Sequence, residues 1–181
     1  MLIDVNKSAL LIIDVQTGLA PAVAGHDKII EKIQNITFAA EIFNIPVIVT
    51  EHYPDKIGHC IADIRKSATN IVQKIHFSAC EEHQFQRVLH DIGSDQYIIV
   101  GMETHVCVMQ TALDLIDQGK SVYLVDDAVG SRKATSKALA LNRLQSAGAT
   151  IIDLEMLFFE WLRHGDHPAF RKLLELIKAS G

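Results

Sequence analysis

Six short, apolar, β-branched runs alternate along this chain with stretches of helical period, and that alternation limits its folds more than any other feature. The runs are 9–13, 47–50, 71–73, 97–100, 122–125 and 150–152. Runs this apolar fit strands covered on both faces. Between the first two, Ile29, Ile33, Ile36, Ala40 and Phe43 recur at steps of four and three, one apolar face of a long helix. Phe85, Val88, Leu89 and Ile92, then Val108, Ala112, Leu115 and Ile116, then Ala134, Ala138, Leu141 and Leu144 repeat the pattern. Gly93, Gly119 and Gly148 stand where those helices must stop and turn into the next strand. A last helical pair, 154–162 and 170–177, has no strand after it, so it packs either across its own domain or on a neighbouring subunit.

Strand–helix alternation predicts α/β architecture, a doubly wound and mostly parallel six-stranded sheet with helices on both faces. Order 3-2-1-4-5-6 is the leading topology, and one domain over 1–181 is expected, because no linker or low-complexity stretch breaks the pattern. Ligands of such sheets bind beyond the carboxyl ends of the strands where the order reverses. The residues there are Asp14, Lys74 and the run 101–107. The least regular stretch, 51–66, follows the second strand and carries His52, Tyr53, His59 and Cys60.

Charge narrows the partners. Seventeen Lys and Arg against 22 Asp and Glu leave a net charge of −5, with no basic stripe to neutralise a nucleic-acid backbone or anionic lipid. No apolar run reaches the ~20 residues of a membrane helix, and residues 1–4 do not read as a secretory signal. A cytoplasmic protein acting on a small molecule, without nucleic-acid or membrane partners, is the expectation. Cys60, Cys80 and Cys107 are an odd, widely spaced set, which argues for free thiols rather than a disulfide framework or a zinc cluster.

Taken singly, the three strand-end residues have bland readings. Asp14 reads as a turn acid, Lys74 as a surface lysine, Cys107 as an inert core thiol. Taken together, an acid, a cation and a thiol at one edge of one sheet meet the demand for an activated nucleophile. In that reading a helix N-terminus and Lys74 lower the Cys107 pKa. Cys60 and Cys80 have no such placement and read as structural. A Rossmann dinucleotide site is disfavoured because no glycine-rich turn follows the first strand.

Residues 10–16 (LLIIDVQ), 74–79 (KIHFSA) and 101–112 (GMETHVCVMQTA) resemble, in order and spacing, the three motifs of isochorismatase-like cysteine hydrolases. The resemblance covers nearly the whole chain and implies an Asp14–Lys74–Cys107 triad, with Cys107 the nucleophile, Asp14 its base and Lys74 the stabilising cation. It further implies an oxyanion hole from the backbone N–H groups of Glu103 and Cys107, a cis peptide between Met102 and Glu103, and a homo-oligomer, dimer or higher. Gln16, His52, Tyr53, Phe77 and His105 are the candidate substrate contacts. Nicotinamidases of this superfamily carry an Asp-x-His metal pair after the second strand. This chain has Glu51-His52-Tyr53-Pro54 there, so no metal and no cofactor are expected. The implied chemistry is hydrolysis of a small amide or related carbonyl through a thioester. The alternative is a catalytically silent binding or scaffold protein on the same fold.

Overall fold

The computed structural model describes residues 1–179, so the last two residues of the expected 1–181 domain lie outside the described residues. In chain order the elements are β1 (Ser8–Ile13), α1 (His26–Ile42), β2 (Val47–His52), the short helices α2 (Pro54–Ile57) and α3 (Ala62–Lys66), β3 (Asn70–Lys74), α4 (His83–Ile92), β4 (Gln96–Met102), α5 (Met109–Asp117), β5 (Ser121–Gly130), α6 (Ala134–Ser146), β6 (Thr150–Ile152), α7 (Leu154–Leu162) and α8 (Phe170–Ala179). All six strands pair in parallel in the order β3-β2-β1-β4-β5-β6. The expected topology and all six strand positions are therefore observed, and the order reverses between β1 and β4.

Strand alternation divides the core in two. Leu10 and Ile12 of β1 face a cluster with Ile33 and Ile36 of α1 and Leu157, Phe158 and Trp161 of α7. Ala9, Leu11 and Ile13 face the other side, against Phe85 of α4, Leu115 of α5 and Leu144. Burial on both faces is why β1 tolerates no polar residue between Ala9 and Ile13. The closing pair α7 and α8 packs on this chain's own sheet and α1, which resolves the choice its sequence left open.

Two elements run differently from the sequence expectation. β5 continues five residues past Val125, because its register against β4 shifts between Ile99 and Gly101, allowing Val129 and Gly130 to pair with Gly101 and Met102. Such an irregularity depends on the neighbouring strand, so local periodicity does not reveal it. The stretch after β2 is also more ordered than expected, since β2 extends through His52 and two short helices follow. At Gly101 the backbone of β4 presses on β1: φ is +121° and a Cβ would lie 2.1 Å from the Ile13 carbonyl oxygen. Only glycine lets the two strands that frame the reversal approach so closely.

Candidate active site

Asp14 leaves β1 in the left-handed conformation, φ +51°, one residue beyond the last paired position. Asp tolerates this region better than most residues, and the twist turns its carboxylate across the strand ends. Thr50, the register partner of Ile13, donates from its hydroxyl to Asp14 Oδ1 at 2.7 Å. Lys74 ends β3, and its Nζ lies 2.8 Å from Asp14 Oδ2, both side chains wholly buried. A buried pair of this kind is stable only when the remaining donors are satisfied. Here the ammonium also donates to the carbonyls of His76 (3.2 Å) and Phe77 (3.1 Å).

Cys107 reaches this pair from a turn of π-helix, Thr104–Val108, that joins β4 to α5. Wider turns of this type recur at functional sites because they push one side chain out of helical register. The buried thiol stands within the electrostatic reach of both Asp14 and Lys74, so the structure brings together the three residues that the sequence grouped. The peptide between Met102 and Glu103 is cis, as the resemblance implied. Glu103 anchors the turn: its carbonyl accepts from Val106 and Val108, and its carboxylate accepts from the backbone and side chain of Arg132 at 3.0 Å each.

The thiol's electrostatics differ from the expectation. Burial pushes Cys107 up to about 12, the Asp14 charge adds to the rise, and Lys74 opposes it. The lysine pulls the thiol down as expected, but the loss of water and the carboxylate on the other side weigh more. The regular helix α5 also begins only after the thiol, at Met109. The resting group is a thiol, with its proton adjacent to a carboxylate able to take it. Cys60 and Cys80 are buried thiols raised to about 12 by burial, in keeping with their structural reading.

Two connecting segments adjoin the strand ends that carry Asp14 and Lys74. The first, 53–61, is held by Gln16 and Glu51. Gln16 is buried, with its side-chain amide donating to the carbonyls of His52 (2.9 Å) and Gly58 (2.5 Å) and accepting from the His52 N–H (2.7 Å). With its amide occupied by the loop backbone, it braces the site wall from behind. Glu51, also buried, accepts from His59 Nδ1 (3.0 Å), Cys60 N (3.0 Å) and Arg65 Nε (2.9 Å). Burial alone would raise its pKa, yet these three donors and the Arg65 charge outweigh it and hold the carboxyl below its usual range. The second segment, 75–82, turns back under Lys74 and is held by Glu82, whose Oε1 accepts from Ile75 N (2.8 Å), His76 N (3.2 Å) and His76 Nδ1 (2.9 Å).

The isochorismatase domain family matches residues 8–156 of this sequence. The chain belongs to that family. It is 30% identical over 179 residues to a secreted isochorismatase effector of Phytophthora sojae, covering 96% of this chain and 85% of the relative. Among solved structures it is similar to the MAR1 ribonuclease of Caenorhabditis elegans (TM-score 0.91, 33% identity, 98% of this chain and 93% of that one). It is also similar to YcaC from Pseudomonas aeruginosa, solved with hexane-2,5-diol and covalent acrylamide (0.92, 26%, 99% and 93%). A further similar structure is the YcaC gene product of Escherichia coli, described as an octameric hydrolase of unknown specificity (0.87, 26%, 100% and 98%). Family membership, the sheet order and the full-length structural likeness agree.

The remaining candidates of this isochorismatase-family chain fall in two places. His52, Tyr53 and Phe77 form an aromatic group beside Lys74, with ring centroids 5.0 Å apart for His52 and Tyr53 and 5.6 Å for His52 and Phe77. Burial and the nearby Lys74 charge hold the His52 pKa below its usual value, against the opposing pull of Asp14, so the ring is neutral at pH 7. His105 turns the other way: its Nδ1 is 2.9 Å from Ser131 Oγ, and it lines a pocket of about 250 Å³ with Met109, Ser136, Leu139, Ala140 and Arg143. Among the described residues, no group of three or more His, Cys, Asp or Glu is placed to hold a metal ion, and no helix is long and apolar enough to cross a membrane.

Thr50, Glu51 and Glu82 escaped the sequence reading. Thr50 was legible in principle, because parallel register aligns the ends of adjacent strands. Glu51 carried a weaker signal, a carboxylate continuing an apolar strand. Glu82 had none, since an acid at the start of a helix reads as an ordinary cap.

Proposed function

We propose that this chain is a cysteine-dependent hydrolase of small amides or related carbonyl compounds. The observation that carries the reading is the buried Cys107 thiol under the charges of the Asp14–Lys74 ion pair, whose members are 2.8 Å apart. Cys107 Sγ attacks the carbonyl carbon while its proton passes to Asp14. The tetrahedral oxyanion forms beside the backbone N–H groups of Glu103 and Cys107. Its collapse breaks the C–N bond, and the amine leaves with the proton returned by Asp14. A water molecule, losing a proton to Asp14, then attacks the thioester carbon. The C–S bond breaks, the acid departs and the thiol regains its proton. Lys74 stabilises the negative charge wherever it stands on this path.

His52, Tyr53 and Phe77 supply an uncharged aromatic group beside Lys74, which suits a small neutral acyl group. The covalent acrylamide on the P. aeruginosa relative supports a nucleophile accessible to small electrophiles. We extend the proposal to a homo-oligomer, in line with the octameric relative, and to a cytoplasmic site of action, where a free thiol stays reduced. Ribonuclease chemistry, named for the C. elegans protein, is less favoured because a chain of net charge −5 lacks a cationic track for a polyanion.

The test pairs a panel of small amides, with RNA as the competing substrate, with iodoacetamide modification followed at each cysteine by peptide mass spectrometry. Turnover of an amide that disappears in Cys107→Ala supports the proposal, and RNA cleavage dependent on Cys107 in its place would overturn it. Asp14→Asn gives a signed result. If Asp14 is the base, Cys107 modification slows. If the carboxylate merely repels the thiolate, removing it speeds modification, and the assigned role is wrong. Absence of turnover combined with a Cys107 no more reactive than Cys60 or Cys80 favours the silent binding protein.

A further inference from the structure

The ammonium of Lys74 has one ionic partner, Asp14 just beyond β1, and two carbonyl acceptors. The acceptors are the carbonyls of His76 and Phe77, two and three residues downstream. The cation is therefore seated by its own connecting segment, and its position is set by whatever holds that segment in shape.

Apolar burial holds its far end, where Ala79 and Cys80 enter the core, but not residues 75–77, because Ile75 and Phe77 are 57% and 53% exposed. Hydrogen bonds hold these. At the far end, Ser78 Oγ donates to Asp114 Oδ2 (2.5 Å) and Ala79 N to Thr111 Oγ1 (3.0 Å), tying the segment to α5. At the near end, one carboxylate oxygen of Glu82 collects the N–H groups of Ile75 and His76 together with His76 Nδ1. Glu82 occupies the cap position of α4, yet its side chain makes no capping bond to the helix. It faces the segment under Lys74.

We propose that Glu82 is a positioning residue for Lys74, acting through the backbone of residues 75–77 to set the reactivity of Cys107. The proposal rests on the reading of Cys107 as a nucleophile served by Asp14 and Lys74. Without Glu82, two N–H groups and an imidazole lose a shared anchor, the His76 and Phe77 carbonyls shift, and the ammonium moves relative to the thiol. Displacements near 1 Å in such a site cost up to about a hundredfold in rate.

The experiment measures the rate of iodoacetamide modification at each cysteine at pH 7.5 for the natural protein, Glu82→Ala, Glu82→Gln and Lys74→Met, with far-UV circular dichroism on each. The expected series at Cys107 is a drop of about tenfold or more for Glu82→Ala and of about threefold for Glu82→Gln, whose neutral oxygen still accepts but more weakly. Cys60 and Cys80 report on the fold and should stay unreactive throughout. A Glu82→Ala rate within twofold of the natural protein overturns the proposal, as does slow Cys107 modification accompanied by newly reactive Cys60 and Cys80, which marks general loosening. If Glu82→Ala fails to fold, Glu82→Gln decides, and an unchanged rate overturns the proposal. Lys74→Met separates the two levels: if it leaves Cys107 unaffected, the reading of the site falls and the Glu82 role with it. If it slows Cys107 while the Glu82 variants do not, only the Glu82 role falls.

Discussion

The two segments that follow β2 and β3 are built on the same device with different surroundings. Each is organised by one glutamate that gathers three donors, Glu51 for 53–61 and Glu82 for 75–82. Glu51 lies at 0% side-chain exposure and counts an arginine among its donors, whereas Glu82 is 19% exposed and holds two backbone N–H groups and a half-exposed histidine. A buried anchor contributes to global stability, because its own carboxylate and the Cys60 N–H it holds have no water to fall back on. A wetter anchor contributes less to stability and more to local shape. One segment belongs to the fold, and the other is free to tune the cation it carries.

The sharpest way to break that contrast is Glu51→Ala, which leaves the buried Cys60 N–H without an acceptor and Arg65 to water. It is expected to cost about 3 kcal/mol in urea unfolding, the upper end for hydrogen bonds to a charged group, and a cost below 1 kcal/mol would erase the distinction between the anchors. Glu82→Ala should cost about 1.5–3 kcal/mol, the range for hydrogen bonds to a charged group. The comparison fails if this variant proves the more destabilising of the two.

Titration sharpens it further. Burial raises both carboxyls, but the donors outweigh it, so each folded pKa lies below the ordinary 4.5. Their contributions are present above 4.5 and lost as pH falls through the lowered values. Acid unfolding followed by tryptophan fluorescence should therefore shift more in Glu51→Gln than in Glu82→Gln. The thiols act at the other end of the scale. Burial raises all three from 9.0 to about 12, so stability that is full below pH 9 is lost as pH rises toward 12, where the unfolded chain ionises first. Replacing Cys60 and Cys80 with Ala should flatten the alkaline fall in the thermal midpoint, while the acid limb stays unchanged.

The smallest effect is expected at the exposed apolar residues of the second segment. Ile75→Ser should change stability by less than about 0.5 kcal/mol, as for other surface positions. A larger loss measured in the same urea experiment would show that apolar contact, and not Glu82, holds residues 75–77.

Much of the molecule was legible without coordinates. Runs such as 9–13 specify buried parallel strands, because only a sheet covered on both faces hides every side chain of a strand. Strand ends in such a sheet converge, so Asp14, Lys74 and Cys107 could be grouped from three widely separated positions. Gln16 was legible as a member of the site, but its partners, the backbone of His52 and Gly58, follow from how the loop folds back.

What the sequence by itself determined is therefore the sheet, its order and the three residues at its reversal, since periodicity and handedness are properties of the chain's local pattern. Tertiary structure alone decided the state of the thiol, the direction taken by His105 and the work of Thr50, Glu51 and Glu82. A pKa and a hydrogen-bond partner depend on the water excluded and the charges gathered by segments distant in sequence, and no local pattern records either.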